Sequence, residues 1–343
     1  MRLGLALPHY DTSLEGKPAS WSGVRDVALK AEASGFSSVW VSDHLFLDWS
    51  KYGGPSDPQG ALECWTTMTA LAGATSKVRI GSLALCNDFR NPALVAKMAA
   101  TLDRLSGGRL DLGMGGGWYE PEYRAAGIPF DGAGTRIRRL GEAVEIVTRL
   151  LGGEELTFKG DHYTIEGAIV RPGPHSSPSA RPHPHSRPPV FIGGKGDLLI
   201  RTAAKAADGW NFSWIGSTEA YFERVAYARQ ACENLGRDPA TLARSVGAYV
   251  LVGRDERDLE RRYGRLVERT PKGVFSASSG VSWKRFRQRG IAGTVSEVVG
   301  ALGELKDNGV KEVVVTLGAL PFQLSDEEDI ELFGSEVVPA LAR

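Results

Sequence analysis

Cysteine is scarce in this chain. The three present, Cys64, Cys86 and Cys232, are far apart, odd in number and without metal-ligand spacing. They form no disulfide framework or zinc site and suit a reducing, cytoplasmic setting. Net charge is lacking too: 41 Lys and Arg balance 41 Asp and Glu, which argues against a nucleic-acid or membrane-surface partner. No apolar run is long enough to span a bilayer, and the apolar start at Leu3–Leu7 is too short for the core of a secretory signal. His183 and His185 flank Pro184 with no carboxylate or cysteine beside them, so no metal is expected. What remains, with 42% apolar residues and balanced charge, is an ordinary globular chain.

The chain has instead a regular alternation of strand-like and helix-like segments. Strand patterns fall at Leu3–Pro8, Ser38–Ser42, Val78–Leu85, Arg109–Leu112, Val190–Ile192, Gly209–Phe212, Val246–Val252 and Glu312–Thr316. Helix patterns lie between them, with start signals at Asn91-Pro92 and at the capping box Thr294/Glu297. Doubly wound sheets share this alternation; the count of eight selects a (β/α)8 TIM barrel, an α/β fold in one domain over residues 1–343. A bare barrel needs about 250 residues, so the excess lies in insertions after strands, at about 46–60, 158–189 and 254–290. The second begins as a hairpin and becomes proline-rich; the third carries the basic cluster Lys284, Arg285, Arg287 and Arg289.

Barrel enzymes place their chemistry where strands end. The segment RLDLGMGGGWYEPEY reads as a strand that stops at Gly113, followed by Gly115, Gly116 and Gly117. Glycines there leave bare backbone for a flat ligand, with Trp118 and Tyr119 as aromatic faces beside it. At the end of strand two, Asp43-His44 offers a proton donor or acceptor, with Asp43 orienting the imidazole or holding a cofactor ring nitrogen. Glu63 is a second acid/base candidate, whereas Glu142 and Glu145 read as solvated helix positions. Asn87 either hydrogen-bonds the edge of a heterocycle or makes the turn toward Asn91. Gly193-Gly194-Lys195-Gly196 before a helix is an anion cradle without the P-loop pattern. GMGGGW lacks the βαβ context of a dinucleotide fingerprint, which disfavours a Rossmann-bound nicotinamide.

These stretches together resemble the luciferase-like monooxygenase superfamily, above all its deazaflavin (coenzyme F-420)-dependent oxidoreductase branch. The resemblance rests on VWVSDHL at 39–45, a nearly ungapped match over 61–123, PPVFIGGKG at 188–196 and ADGWN at 207–211. It implies a TIM barrel with insertions, a flavin-type ring at the C-terminal strand ends and often a homodimer. It also implies hydride transfer between F-420 and a small organic substrate. Asp43 and His44 match the pair beside the ring's reactive face, and Leu83–Ala84 matches the non-proline cis peptide behind the ring. Met114, Gly115 and Gly116 match the backbone lining it, and Gly193, Gly194 and Lys195 match the phosphate cradle. Two departures stand out. Gly117 occupies the place of a carboxylate found in the branch's sugar-phosphate dehydrogenases, and Gly117-Trp118-Tyr119 replaces the Gly-Trp-Asn of many FMN enzymes. The rival readings are a reduced-FMN monooxygenase on the same barrel and a non-catalytic flavin-binding relative.

Overall fold

The structure, a computed structural model, describes residues 1–175, 186–215, 218–275 and 283–342. His183 and His185 lie outside the described residues, as do the side chains of Arg285 and Arg289. The strands are β1 (Arg2–Ala6), β2 (Ser38–Val41), β3 (Arg79–Ser82), β4 (Leu85–Cys86), β5 (Leu110–Gly115), β6 (Leu156–Lys159), β7 (Thr164–Ala168), β8 (Val190–Gly193), β9 (Gly209–Ile215), β10 (Ala243–Gly253), β11 (Ile291–Thr294) and β12 (Glu312–Thr316). The helices are α1 (Trp21–Ala33), α2 (Cys64–Ala74), α3 (Pro92–Leu105), α4 (Glu120–Ala125), α5 (Ala133–Leu151), α6 (Asp197–Ala206), α7 (Thr218–Asn234), α8 (Glu256–Glu268), α9 (Trp283–Arg289), α10 (Val295–Asp307), α11 (Glu327–Leu332) and α12 (Val338–Ala342).

The chain divides into two compact units: residues 1–63, 212–222 and 244–343, and residues 64–211 and 223–243. In the first, parallel strands run in the order β11-β10-β12-β1-β2. In the second they run β3-β5-β8-β9, with β4 also on β5 and the antiparallel hairpin β6–β7 apart. Parallel strands covered on both faces need unbroken apolar runs. Leu3, Leu5, Val39, Val313, Val314 and Val315 supply them in the first unit; Ile80, Leu110, Leu112, Val190 and Ile192 do so in the second, all buried.

Local signals set the helix starts. Asn91 accepts from the Ala93 amide ahead of Pro92, and Thr294 with Glu297 forms the expected capping box. Two expectations need correction. The segment 254–290 is not simply a loop: α8 and α9 carry much of it, and Leu259, Leu266 and Phe286 pack with Leu251 of β10. Of its basic cluster, Arg287 pairs with Glu256 at 3.4 Å and Glu297 at 3.3 Å, and its guanidinium lies over the Trp283 ring. The fourth strand also does not stop at Gly113 but continues as β5 to Gly115. Gly113 is glycine because a Cβ there would overlap the Ser82 carbonyl oxygen, and its amide and carbonyl both bond the Ser82 hydroxyl.

Candidate active site

In the first unit the strand ends are tied together from beneath. The chain leaves β1 through Leu7-Pro8-His9-Tyr10 and β2 through Ser42-Asp43-His44. His9 is fully buried, with Nδ1 2.8 Å from the Leu7 carbonyl and Nε2 3.2 Å from the Ser42 hydroxyl. The Tyr10 and Ser42 hydroxyls share a short hydrogen bond. In the neutral ring with Nδ1–H donating to Leu7, Tyr10 donates to Ser42 and Ser42 to Nε2, while the Ser42 carbonyl, also 3.2 Å from Nε2, receives a proton only from the protonated ring. The Leu62 amide donates to the His9 carbonyl at 3.0 Å, and Ala61 bridges Tyr10. His9 and Tyr10 therefore brace both the segment carrying Asp43 and His44 and the segment leading into Glu63. Asp43 is buried; His44 and Glu63 are half-buried, with the His44 ring 6.5 Å from that of Tyr10.

Burial pushes the His9 imidazole down to about 4, against the Leu7 and Ser42 carbonyls, which favour its protonated form. Because the folded-state pKa lies below the ordinary value of 6.5, the unfolded chain takes up the proton first as pH falls. The stability held by neutral His9 is thus complete above about pH 6.5 and is lost on acidification toward pH 4, to a limit of roughly 3 kcal/mol. Wild type should lose stability relative to His9→Gln between pH 7.5 and pH 5 in thermal unfolding. An equal gap at both pH values would show that His9 does not titrate on unfolding.

Around Tyr10 stands an aromatic group that sequence reading missed. Trp49 meets Tyr10 at 5.6 Å and Tyr52 at 6.0 Å. Phe322 meets His9 at 5.2 Å and Trp214 at 5.5 Å, and Trp214 meets Tyr249 at 5.4 Å. Trp214 and Phe322 both have positive φ, 55° and 57°, uncommon for bulky side chains and concentrated at functional sites. The only sequence signal was positional: His9 stands just past a strand, as His44 does.

In the second unit the remaining candidates come off three neighbouring strands. β4 pairs with β5 in the register Leu85↔Met114 and Cys86↔Gly115, and β5 pairs with β8 through Met114↔Ile192. This register brings Leu83, Ala84 and Asn87 beside Met114, Gly115 and Gly116, with Gly193-Gly194-Lys195-Gly196 one strand over. The Leu83–Ala84 peptide bond is cis, as the resemblance implies, and it divides the predicted third strand into β3 and β4. A Cβ on Gly115 would touch Ala84 at 3.4 Å, and one on Gly116 would meet nothing nearer than Ile137 at 3.6 Å. The protein's own packing thus leaves Gly116 room for a side chain, whereas Gly117 needs to be glycine: its φ is 67° and a Cβ would overlap the Tyr123 hydroxyl. Met114 and Tyr119 are buried and Trp118 is exposed.

Asn87 is buried in a turn that is itself braced. Its amide nitrogen donates to the Tyr163 hydroxyl at 3.0 Å and to Asp88 at 3.2 Å. Asp88 pairs with Arg139 at 3.1 Å and accepts from the Tyr123 hydroxyl at 3.2 Å. Burial, then the neighbouring Cys86 thiol and Asp88 carboxylate, holds the Tyr123 phenol far above its ordinary range. The Asn87 Oδ1 is a buried acceptor without a partner among the described residues, a state that costs free energy unless something donates to it. Glu142 is not simply solvated: its carboxylate accepts from the amides of Asp161, His162 and Tyr163, fixing the turn between β6 and β7 that presents Tyr163 to Asn87.

The glycine-rich end of β8 leads into α6, whose N-cap, Gly196, has no side chain to satisfy the first amides. Gly194 has φ 140°, its amide donates to Asn211 at 2.9 Å, and its carbonyl accepts from Trp210 at 2.8 Å. These bonds hold the loop in place, with Lys195 exposed beside it. Among the described residues no group of His, Cys, Asp or Glu is arranged to hold a metal ion, and no helix is long and apolar enough to cross a membrane.

The sequence profile of the luciferase-like monooxygenases matches residues 1–315. An F420-dependent glucose-6-phosphate dehydrogenase of Amycolatopsis mediterranei is 32% identical over 270 residues, 77% of this chain and 76% of its own. Pyrimidine monooxygenase RutA of Escherichia coli is 36% identical over 195 residues, 55% of this chain and 48% of its own. Among solved structures, the coenzyme F420-dependent tetrahydromethanopterin reductase of Methanopyrus kandleri superposes with a TM-score of 0.74 at 23% identity, covering 98% of each chain. That likeness identifies the fold as the luciferase-like (β/α)8 barrel.

Proposed function

Because the chain belongs to the luciferase-like monooxygenase family, we propose that it is an oxidoreductase that moves a hydride between coenzyme F-420 and a small organic substrate. The 32%-identical relative carries the F420-dependent name over three quarters of both chains, which favours F-420 over FMN. When bound, the deazaflavin supplies a ring carbon that carries a hydride and scarcely reacts with oxygen.

One observation within the site carries the reading: the Asn87 Oδ1, buried and unpartnered among the described residues, set beside the cis Leu83–Ala84 bond and the glycines ending β5. An orphan acceptor next to bare backbone suits the N–H-bearing edge of a flat heterocycle. In this reading Asn87 accepts from the ring edge, and Leu83 and Ala84 brace the ring. Met114, Gly115, Gly116 and Gly117 line it, with Trp118 and Tyr119 at the rim. The amides of Gly193, Gly194, Lys195 and Gly196 receive the phosphate, helped by the Lys195 charge and the dipole of α6, worth about 0.3–1 kcal/mol per charge. His44 holds or takes the substrate proton at an imidazole nitrogen, Asp43 orients the imidazole or the ring, and Glu63 is the second proton-transfer group. Orientation by such groups contributes about 7–11 kcal/mol to lowering a barrier in favourable cases. The subunits act as a cytoplasmic homodimer on a small-molecule substrate.

Oxygen uptake tests the choice of carrier. With reduced F-420 and a panel of small carbonyl compounds, the protein should oxidise the cofactor without consuming oxygen. Oxygen consumption coupled to reduced FMN, with no F-420 turnover, would assign the chain to the monooxygenases instead.

A further inference from the structure

Two phenols in the first unit have no role in the chemistry above. Tyr52 lies within the Gly/Pro-containing segment after β2, and Tyr249 lies in the middle of β10 between buried Ala248 and Val250. Protein encloses both side chains almost completely, yet each keeps accessible surface. A side chain at the wall of a recess has both properties at once. Neither hydroxyl has a hydrogen-bond partner among the described residues. An enclosed phenol ordinarily finds a partner, because its hydroxyl is costly to leave unmatched.

Ring contacts place the two in one aromatic enclosure. Tyr52 packs on Trp49, Trp49 on Tyr10, Tyr10 on Phe322 at 6.5 Å, Phe322 on Trp214, and Trp214 on Tyr249. The backbone is shaped for this arrangement. Gly247 lies where a Cβ would press on the Trp214 amide and indole at 3.0–3.1 Å, and Trp214 and Phe322 hold positive φ as they meet. His44 adjoins the same enclosure through its ring contact with Tyr10.

We infer that the Tyr52 and Tyr249 hydroxyls form a substrate subsite for an uncharged organic molecule carrying a carbonyl or hydroxyl oxygen on an apolar skeleton. This deepens the proposed function and rests on it for the reaction, though not for the binding. The hydroxyls donate to the substrate oxygen, and the faces of Trp214 and Phe322 cover its skeleton. Tyrosine phenols are protonated donors at neutral pH, and burial, which raises Tyr52 to about 12 and Tyr249 well above its ordinary value, only reinforces this. The same scarcity of water penalises a phosphorylated or carboxylated ligand.

Saturation-transfer NMR on the full chain tests the subsite without turnover, with cyclohexanone as the uncharged probe and glucose 6-phosphate as the anionic one. Cyclohexanone should bind saturably and more tightly than glucose 6-phosphate. Tyr52→Phe and Tyr249→Phe, which keep the ring packing, should each weaken cyclohexanone about three- to tenfold. Both should leave F-420 affinity, read by fluorescence, within twofold of wild type. Unchanged cyclohexanone binding in both variants, no saturable binding, or preference for the sugar phosphate would overturn the subsite. Tyrosine-dependent ketone binding in a protein that ignores F-420 would keep the subsite and remove the F-420 reading. F-420 binding without ketone binding would do the reverse.

Discussion

His44→Asn should lower turnover about 10²–10⁴-fold, the usual contribution of a positioned acid or base, while F-420 affinity stays within a few-fold of wild type. The reasoning begins with placement. His44 stands one residue beyond buried Asp43 and two beyond Ser42, whose hydroxyl bonds both His9 and Tyr10. The imidazole therefore projects from a segment that cannot shift without breaking buried hydrogen bonds. Asparagine keeps a polar side chain of similar reach but cannot take up or release a proton, so the loss should fall on kcat more than on cofactor binding. Turnover equal to wild type would remove His44 from the chemistry and leave Glu63 as the proton-transfer candidate.

The largest effect on stability should come from Asp111→Ala, about 3–5 kcal/mol. Asp111 lies in β5, fully buried, and its two oxygens receive Nε and Nη2 of Arg79 at 2.9 and 2.8 Å. The same guanidinium donates to the Gly108 and Leu110 carbonyls at 3.2 and 2.8 Å, locking β3 to β5 below the glycine-rich end. Removing the carboxylate leaves a buried guanidinium without its counter-charge, which costs far more than the pair contributes relative to apolar side chains. Urea unfolding measures it. A shift below about 1 kcal/mol would mean that water reaches Arg79 when Asp111 is gone.

How much was legible from the residues depended on how local each signal was. The Asn91 cap, the Thr294/Glu297 capping box and the β6–β7 hairpin were readable because each is specified within a few residues. The ends of β3 and β5 were not. Gly113 looks like a stop signal on its own and is explained only by Ser82, some thirty residues away in sequence and alongside in space. Glu142 looks like any exposed helix glutamate until the 161–163 amides arrive on it. Glycine runs and Asp43-His44 stood out as types of residue at strand ends. The enclosure of Tyr10, Trp49, Tyr52, Trp214, Tyr249 and Phe322 gave no such sign, because its members are scattered over the first unit and are joined only by tertiary packing.

Fluorescence titration of the purified protein with F-420, with Asn87→Leu in parallel, bears most directly on the central claim, that the β4, β5 and β8 ends hold a deazaflavin ring and its phosphate. Wild type should quench F-420 saturably at micromolar concentration and bind FMN more weakly, and the variant, deprived of the orphan acceptor, should bind F-420 at least tenfold more weakly. Saturable FMN binding with no response to F-420, or a variant that binds F-420 as tightly as wild type, would contradict it.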